Sequence, residues 1–248
     1  MEWSGEGVVL GTRSHGETSV ILEVMTRAFG RHLGLVRGGR SRRLQSVLQP
    51  GNTLALTWRA RIEDQLGTFT AEPVVSRAAR LIETPSGLHG IQTLAGHLRY
   101  LAERDPHPAL YDGLVVLLDH LGEGGTAARL LVRFEIALLD ELGFGLDLSA
   151  CALTGGRDDL AFVSPKTGRA VGREAAAPWA GRLLALPAFL TRGEAPVAPG
   201  DVAAAFALTG HFLDRHVAGP RGRPLSPSRD AFLRAVSAAF ADDQSAKP

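Results

Sequence analysis

A change of hydrophobic period near residue 74 constrains this chain more than any other feature. Before it, short apolar runs alternate with polar residues and stop at glycine or proline; after it, apolar residues recur at helical spacing. Residues 6–13, 19–26, 32–36, 52–61 and 66–71 read as five strands, each bounded by turn residues such as Ser14-His15-Gly16-Glu17 or Pro50-Gly51. Between the third and fourth, Leu44, Val47 and Leu48 give residues 41–49 a helical repeat. Five strands with one short helix after the third suit a small, partly open barrel of the OB type; a five-stranded SH3-like barrel is the alternative.

Beyond the change, Leu88, Ile91, Leu94, Ala95, Leu98 and Leu101 form one apolar stripe, and residues 110–121 a second helical segment. Residues 126–142 read as a third helix, closed by Gly143. Residues 201–217 follow, with Asp201 as N-cap, and a last helix starts at Ser226-Pro227 and runs to about residue 241. The expected fold is therefore α+β and multidomain: an OB-type barrel over residues 1–76, then a helical domain over 77–248.

Charge is informative only through its position. The chain carries 27 basic and 26 acidic side chains, so its bulk balance points to no partner. Yet no acidic residue lies between Glu23 and Glu63, an interval with eight arginines: Arg27, Arg31, Arg37, Arg40, Arg42, Arg43, Arg59 and Arg61. Six fall within residues 27–43, around a turn, a strand and a glycine-bearing loop. Such a cluster builds a local positive field, and guanidinium groups grip phosphate in a two-pronged fork. A solvated basic face is the bland alternative. Stacking aromatics are few here, Phe29, Trp58 and Phe69, and at least two of them are expected in the core. The expected mode is thus backbone-directed binding of nucleic acid.

Other chemistry is poorly supported. One cysteine, Cys151, permits no intramolecular disulfide and fits a reducing compartment. A zinc ribbon needs four ligands; here Thr154 stands where a second cysteine would, and the downstream pair would fall near Gly172 and Ala175. A metal-free hairpin is the expected outcome, and no metal or other cofactor is expected. Nothing near Cys151 is expected to lower its pKa. His211 and His216 are five residues apart, the wrong spacing for a helical metal pair. No phosphate-binding Walker loop is present, and no stretch approaches the ~20 apolar residues of a membrane helix. The chain reads as a non-enzyme and cytoplasmic, with no membrane partner.

Three segments together resemble the RecO family of bacterial recombination mediators. "GVVLGTRSHGETSVILEVMTRAFGRHLGLVRGGRS" is similar to the family's opening strands, "LDELGFGLDLSACALTG" with "FVSPKTGRAV" to its zinc-finger-like region, and "RPLSPSRDAFLRAV" to its closing helix. The resemblance implies a degenerate zinc-finger-like insertion at about residues 147–176. It also implies binding of single- and double-stranded DNA, annealing of complementary strands, and work with RecR and single-strand-binding protein that lets RecA load. Mapped onto this chain, Arg31, Arg37, Arg40, Arg42 and Arg43 become candidate phosphate contacts, with Arg27 and Arg13 behind them. Two rivals remain: an OB-fold protein that binds RNA, and a nuclease or transferase with unrecognised carboxylates.

Overall fold

The computed structural model describes residues 1–62, 65–193, 195, 197 and 199–245. The chain divides into two compact units, Met1–Gly122 and Glu123–Pro248.

In the first unit, β1 (Glu2–His15), β2 (Ser19–Thr26), β3 (Gly30–Val36), β4 (Thr53–Arg59) and β5 (Thr68–Val75) close into a barrel of order β1-β2-β3-β5-β4. Closure depends on β1, which has 14 residues and partners on both sides. Its first half pairs with β4, from Glu2↔Arg59 to Val8↔Thr53, and its second half with β2, from Gly7↔Thr26 to His15↔Ser19. A register irregularity between Val9 and Gly11 bends the strand where it changes sheets. Every pairing is antiparallel except that of β3 with β5. Residues 2–5, expected to precede the first strand, are thus part of it.

Alternation fills the barrel. Val9, Val20, Leu22, Val24, Val36, Leu54, Leu56, Trp58 and Phe69 form one buried cluster. The short helix α1 (Arg42–Val47) adds Leu44, Val47 and the succeeding Leu48 to it. Residues of opposite parity in β1 and β2, such as Val8 and Met25, are also fully buried. They are covered because α3 (Pro85–Leu98) packs against β1 and α4 (Pro108–His120) against β2. A third helix, α2 (Ala78–Ile82), too short to show a period, was absent from the sequence reading. Asn52 holds it in place. Its Nδ2 donates to the Ser46 and Val47 carbonyls, and its Oδ1 accepts from the Arg77 and Ala78 amides. One buried side chain thereby satisfies the end of α1 and the start of α2.

In the second unit, α5 (Gly124–Glu141), α6 (Pro199–Leu213) and α7 (Pro227–Ser245) pack pairwise against one another. The end of α5 is closed as its sequence indicates. Gly143, in the left-handed region at φ 83°, donates to the Asp140 carbonyl at 2.9 Å while Phe144 donates to Leu139 at 2.7 Å. Asp201 sits in the first turn of α6, which begins two residues before the expected cap. A π-turn at Asp214–Ala218 extends α6.

Between α5 and α6 lies a small antiparallel sheet of order β7-β6-β8, from β6 (Leu160–Val163), β7 (Ala170–Gly172) and β8 (Leu184–Ala185). Its core is apolar: Cys151, Val171 and Ala176, with Leu160, Phe162, Ala175 and Leu183 around them. The two positions where a zinc ribbon would carry its second ligand pair have other tasks. The Gly172 amide donates to the Cys151 Sγ at 3.3 Å, and Ala175 packs on the cluster. That amide, with Thr154, brings the buried thiol's pKa down to about 7, against the expectation that nothing nearby would lower it. Among the described residues no three His, Cys, Asp or Glu are placed to share a metal ion.

Candidate nucleic-acid interface

The arginine cluster occupies the loop between β3 and α1. A glycine-bearing turn at residues 37–41 leaves β3, and the Ser41 hydroxyl then caps α1 by accepting from the Leu44 amide. Arg37, Arg40, Arg42 and Arg43 are all exposed here, and Arg13 is exposed near the end of β1. The loop is braced against the β1–β2 turn: the Arg40 amide donates to the Thr18 carbonyl at 3.0 Å, and its guanidinium to Glu17 O at 2.8 Å. Four guanidiniums are thus held on a short, anchored segment of backbone.

The interval without acids in sequence is not without acids in space. Arg27 forms a forked pair with Asp112 of α4, at 3.0–3.3 Å, and holds that carboxyl below its usual range through hydrogen bonding. Arg59 pairs with Glu2 at 2.8 Å, and Arg31 with Glu23 at 3.0 Å. Arg31 is also largely buried, its side chain 15% exposed, and reaches the Leu101 carbonyl. Expecting the whole cluster to lie unopposed is therefore corrected for Arg27, Arg31 and Arg59, whose partners come from outside the acid-free interval. Among the described residues, no carboxylate pairs with Arg13, Arg37, Arg40, Arg42 or Arg43.

Glu23 carries a second guanidinium. Its Oε2 accepts from Arg99 Nε and Nη2 at 2.9 and 2.8 Å, so two arginines share one carboxylate. Arg99 and Arg104 were missed in the sequence, where Arg99 is a lone arginine between the last two residues of a helical stripe and Arg104 lies just past its end.

The aromatic residues form a set larger than expected. Trp58 and Phe69 are core, as anticipated, at 3% and 4% exposure. Trp3 joins them because β1 begins early. It stacks on Phe29 with ring centres 4.2 Å apart and meets His32 edge-on at 5.1 Å. Arg104 lies over the Trp58 ring at 5.5 Å. His32 is 3% exposed, and neither ring nitrogen makes a hydrogen bond of normal geometry within the protein. Burial first, and then the Arg104 charge, bring its pKa down to about 4, against a weaker opposite pull from the Phe29 backbone.

A pH dependence follows. The unfolded chain protonates this imidazole near pH 6.5 and the folded protein only near pH 4, so protons taken up between those values favour unfolding. The stability that depends on neutral His32 is complete above about pH 6.5 and declines as pH falls, by about 2 kcal/mol between pH 7 and pH 5. Urea midpoints at these two pH values check it: His32→Phe should remove that part of the acid loss.

The strand order, with α1 between the third and fourth strands, defines the class: an OB-type barrel protein with an added helical bundle. The Recombination protein O N terminal family model matches residues 1–77, and the Recombination protein O C terminal model matches residues 98–224. The chain belongs to the RecO family of DNA repair proteins. DNA repair protein RecO of Chelativorans sp. (strain BNC1) is 59% identical over 247 residues, covering 99% of this chain and all of the relative. The Mesorhizobium japonicum DNA repair protein RecO is 59% identical over 237 residues, 95% of this chain and 94% of the relative. That of Sinorhizobium medicae is 54% identical over 248 residues, the full length of both. No described helix is long and apolar enough to cross a membrane.

Proposed function

We propose that the protein is a recombination mediator that binds single- and double-stranded DNA through its barrel loops and performs no chemistry on it. In this reading it anneals complementary strands and works with RecR on DNA coated by single-strand-binding protein, so that RecA can load, in the cytoplasm at the nucleoid. One observation carries the binding reading: Arg37, Arg40, Arg42 and Arg43 stand exposed and unpaired with acid on one anchored loop. Arg13 adds a fifth charge of the same kind. Arg27 and Arg31 are weaker phosphate contacts, because DNA must first displace Asp112 or Glu23. Fixed guanidinium groups neutralise a phosphate backbone without reading its sequence. Neutralisation also serves annealing, because two screened strands repel each other less.

Salt measures the reading directly. Five arginines on single-stranded phosphates give log K a slope against log[salt] of about −3.5. Replacing Arg37, Arg42 and Arg43 together by alanine should flatten it by about 2 while leaving the unfolding midpoint unchanged. Arg40 is spared because it braces the neighbouring turn. An unaltered slope would move the DNA surface away from this loop. An annealing assay on DNA coated with single-strand-binding protein, with and without RecR, tests the mediator role.

A further inference from the structure

The arginine loop is tied down at its centre, and the tie runs to a turn that carries no basic residue. That turn, residues 16–18, joins β1 to β2. Arg40 Nη1 donates to the Glu17 carbonyl at 2.8 Å and to the Gly16 carbonyl at 3.4 Å. The Arg40 amide donates to the Thr18 carbonyl at 3.0 Å. Just before it Gly39 is buried, where a Cβ would stand 2.5 Å from Cγ2 of Val20, near the start of β2. The loop lies this close to the turn only because position 39 has no side chain.

The tie sits between the charges it holds. Arg37 precedes it, Arg42 and Arg43 follow it, and all three are exposed. Residues 16–18 are glycine, glutamate and threonine, so the turn offers phosphate nothing but a carboxylate and carbonyl oxygens. Its three carbonyls are instead taken up by Arg40. A guanidinium has five N–H donors on three nitrogens. Arg40 turns Nη1 to the carbonyls, and among the described residues its Nε and Nη2 donate to nothing. One side chain can therefore hold the turn and a phosphate together.

We infer that the β1–β2 turn is a positioning element of the nucleic-acid interface and acts through Arg40. It fixes the loop before a strand arrives, so that Arg37, Arg42 and Arg43 meet phosphates without first being ordered. The inference rests on the nucleic-acid reading above and deepens it, making a segment without cations a determinant of affinity. Leaving one more residue to be ordered on binding costs about tenfold in affinity. The number of phosphates neutralised is the same for a fixed and a loose loop. The loss therefore appears at every salt concentration and leaves the salt slope alone.

Binding of labelled oligothymidylate, followed by fluorescence anisotropy over a salt series, separates the two effects in three variants. Two glycines inserted between Gly16 and Glu17 change no charge and shift the carbonyls from Arg40; exposed turns tolerate such insertions. This variant should bind about tenfold more weakly at unchanged slope. Arg40→Ala should show the same loss and also flatten the slope by about 0.7, for its own phosphate. Arg43→Ala, whose side chain makes no hydrogen bond among the described residues, should flatten the slope equally with a smaller loss of affinity. Amide hydrogen exchange of residues 38–41 in the free protein should rise in the first two variants and not in the third. An insertion that leaves affinity intact would overturn the inference, as would one that flattens the slope, because the turn would then touch phosphate itself. Equal affinity losses for Arg40→Ala and Arg43→Ala, or unchanged exchange in Arg40→Ala, would overturn it too while leaving phosphate binding standing. An unmodified protein that fails to bind oligothymidylate would overturn the nucleic-acid reading, and the role of the turn with it.

Discussion

Replacing Arg229 by methionine is expected to destabilise the helical unit by about 3–5 kcal/mol, the cost of stranding a buried charge. The stranded group is Glu135 of α5, which is fully buried. Arg229 Nε donates to its Oε1 at 2.7 Å and Nη2 to its Oε2 at 2.9 Å. Nη2 also reaches the Phe206 carbonyl and the Thr209 hydroxyl of α6, and that hydroxyl donates to Glu135. The guanidinium lies 4.8 Å from the Phe206 ring centre. One arginine from α7 thus satisfies groups on the two other helices of the bundle. The double variant Glu135→Leu/Arg229→Met removes both charges and should recover most of the loss, since an apolar pair of similar volume is often as stable as a buried ion pair. Urea unfolding followed by circular dichroism checks both. A single variant losing under 1 kcal/mol would mean that water reaches Glu135.

That network also shows where sequence reasoning stops. Arg229 follows Ser226-Pro227-Ser228, a legible helix start, and a cation in the first turn of a helix is locally unfavourable. Only a carboxylate 94 residues earlier makes the position sensible. Elements whose reasons are local were readable: β2 spans Ser19–Thr26 as its β-branched run indicates, and Gly143 closes α5. Elements whose reasons are distant were not. Residues 2–5 carry no strand pattern of their own, and they are strand only because β4 supplies the partners that close the barrel. The five-residue α2 has no period to read, and its first amides are satisfied by Asn52.

The candidate site divides in the same way. The gathering of arginines is visible in sequence because it is contiguous, whereas the acids that engage Arg27 and Arg59 lie 85 and 57 residues away. Trp3 and Arg104 meet Trp58 only through barrel closure and the docking of residues 103–105 beside β3. No spacing rule joins positions so far apart. A motif of charge could be read directly, while an aromatic cluster assembled from several elements could not.

Gly30→Ala should be the most damaging single methyl group added to the barrel, with an expected loss of about 3 kcal/mol or more. Gly30 has φ 62°, a conformation that costs alanine about 1 kcal/mol by itself. The larger part is steric. A Cβ there would stand 2.0 Å from the Asp105 carbonyl oxygen and 2.5 Å from its carbon, and both are backbone atoms that cannot rotate away. The segment would have to retreat, breaking the Arg104 amide bond to the Arg31 carbonyl and the ladder contact between Arg31 and Glu103. Gly16→Ala is the matched control, with φ 63° and no atom within 4 Å of the added carbon, so it should lose only about 1 kcal/mol. Urea midpoints of the two variants separate backbone strain from collision. Equal losses would show that residues 103–105 yield freely, and that the Arg104 amide bond to Arg31 adds little to the barrel's stability.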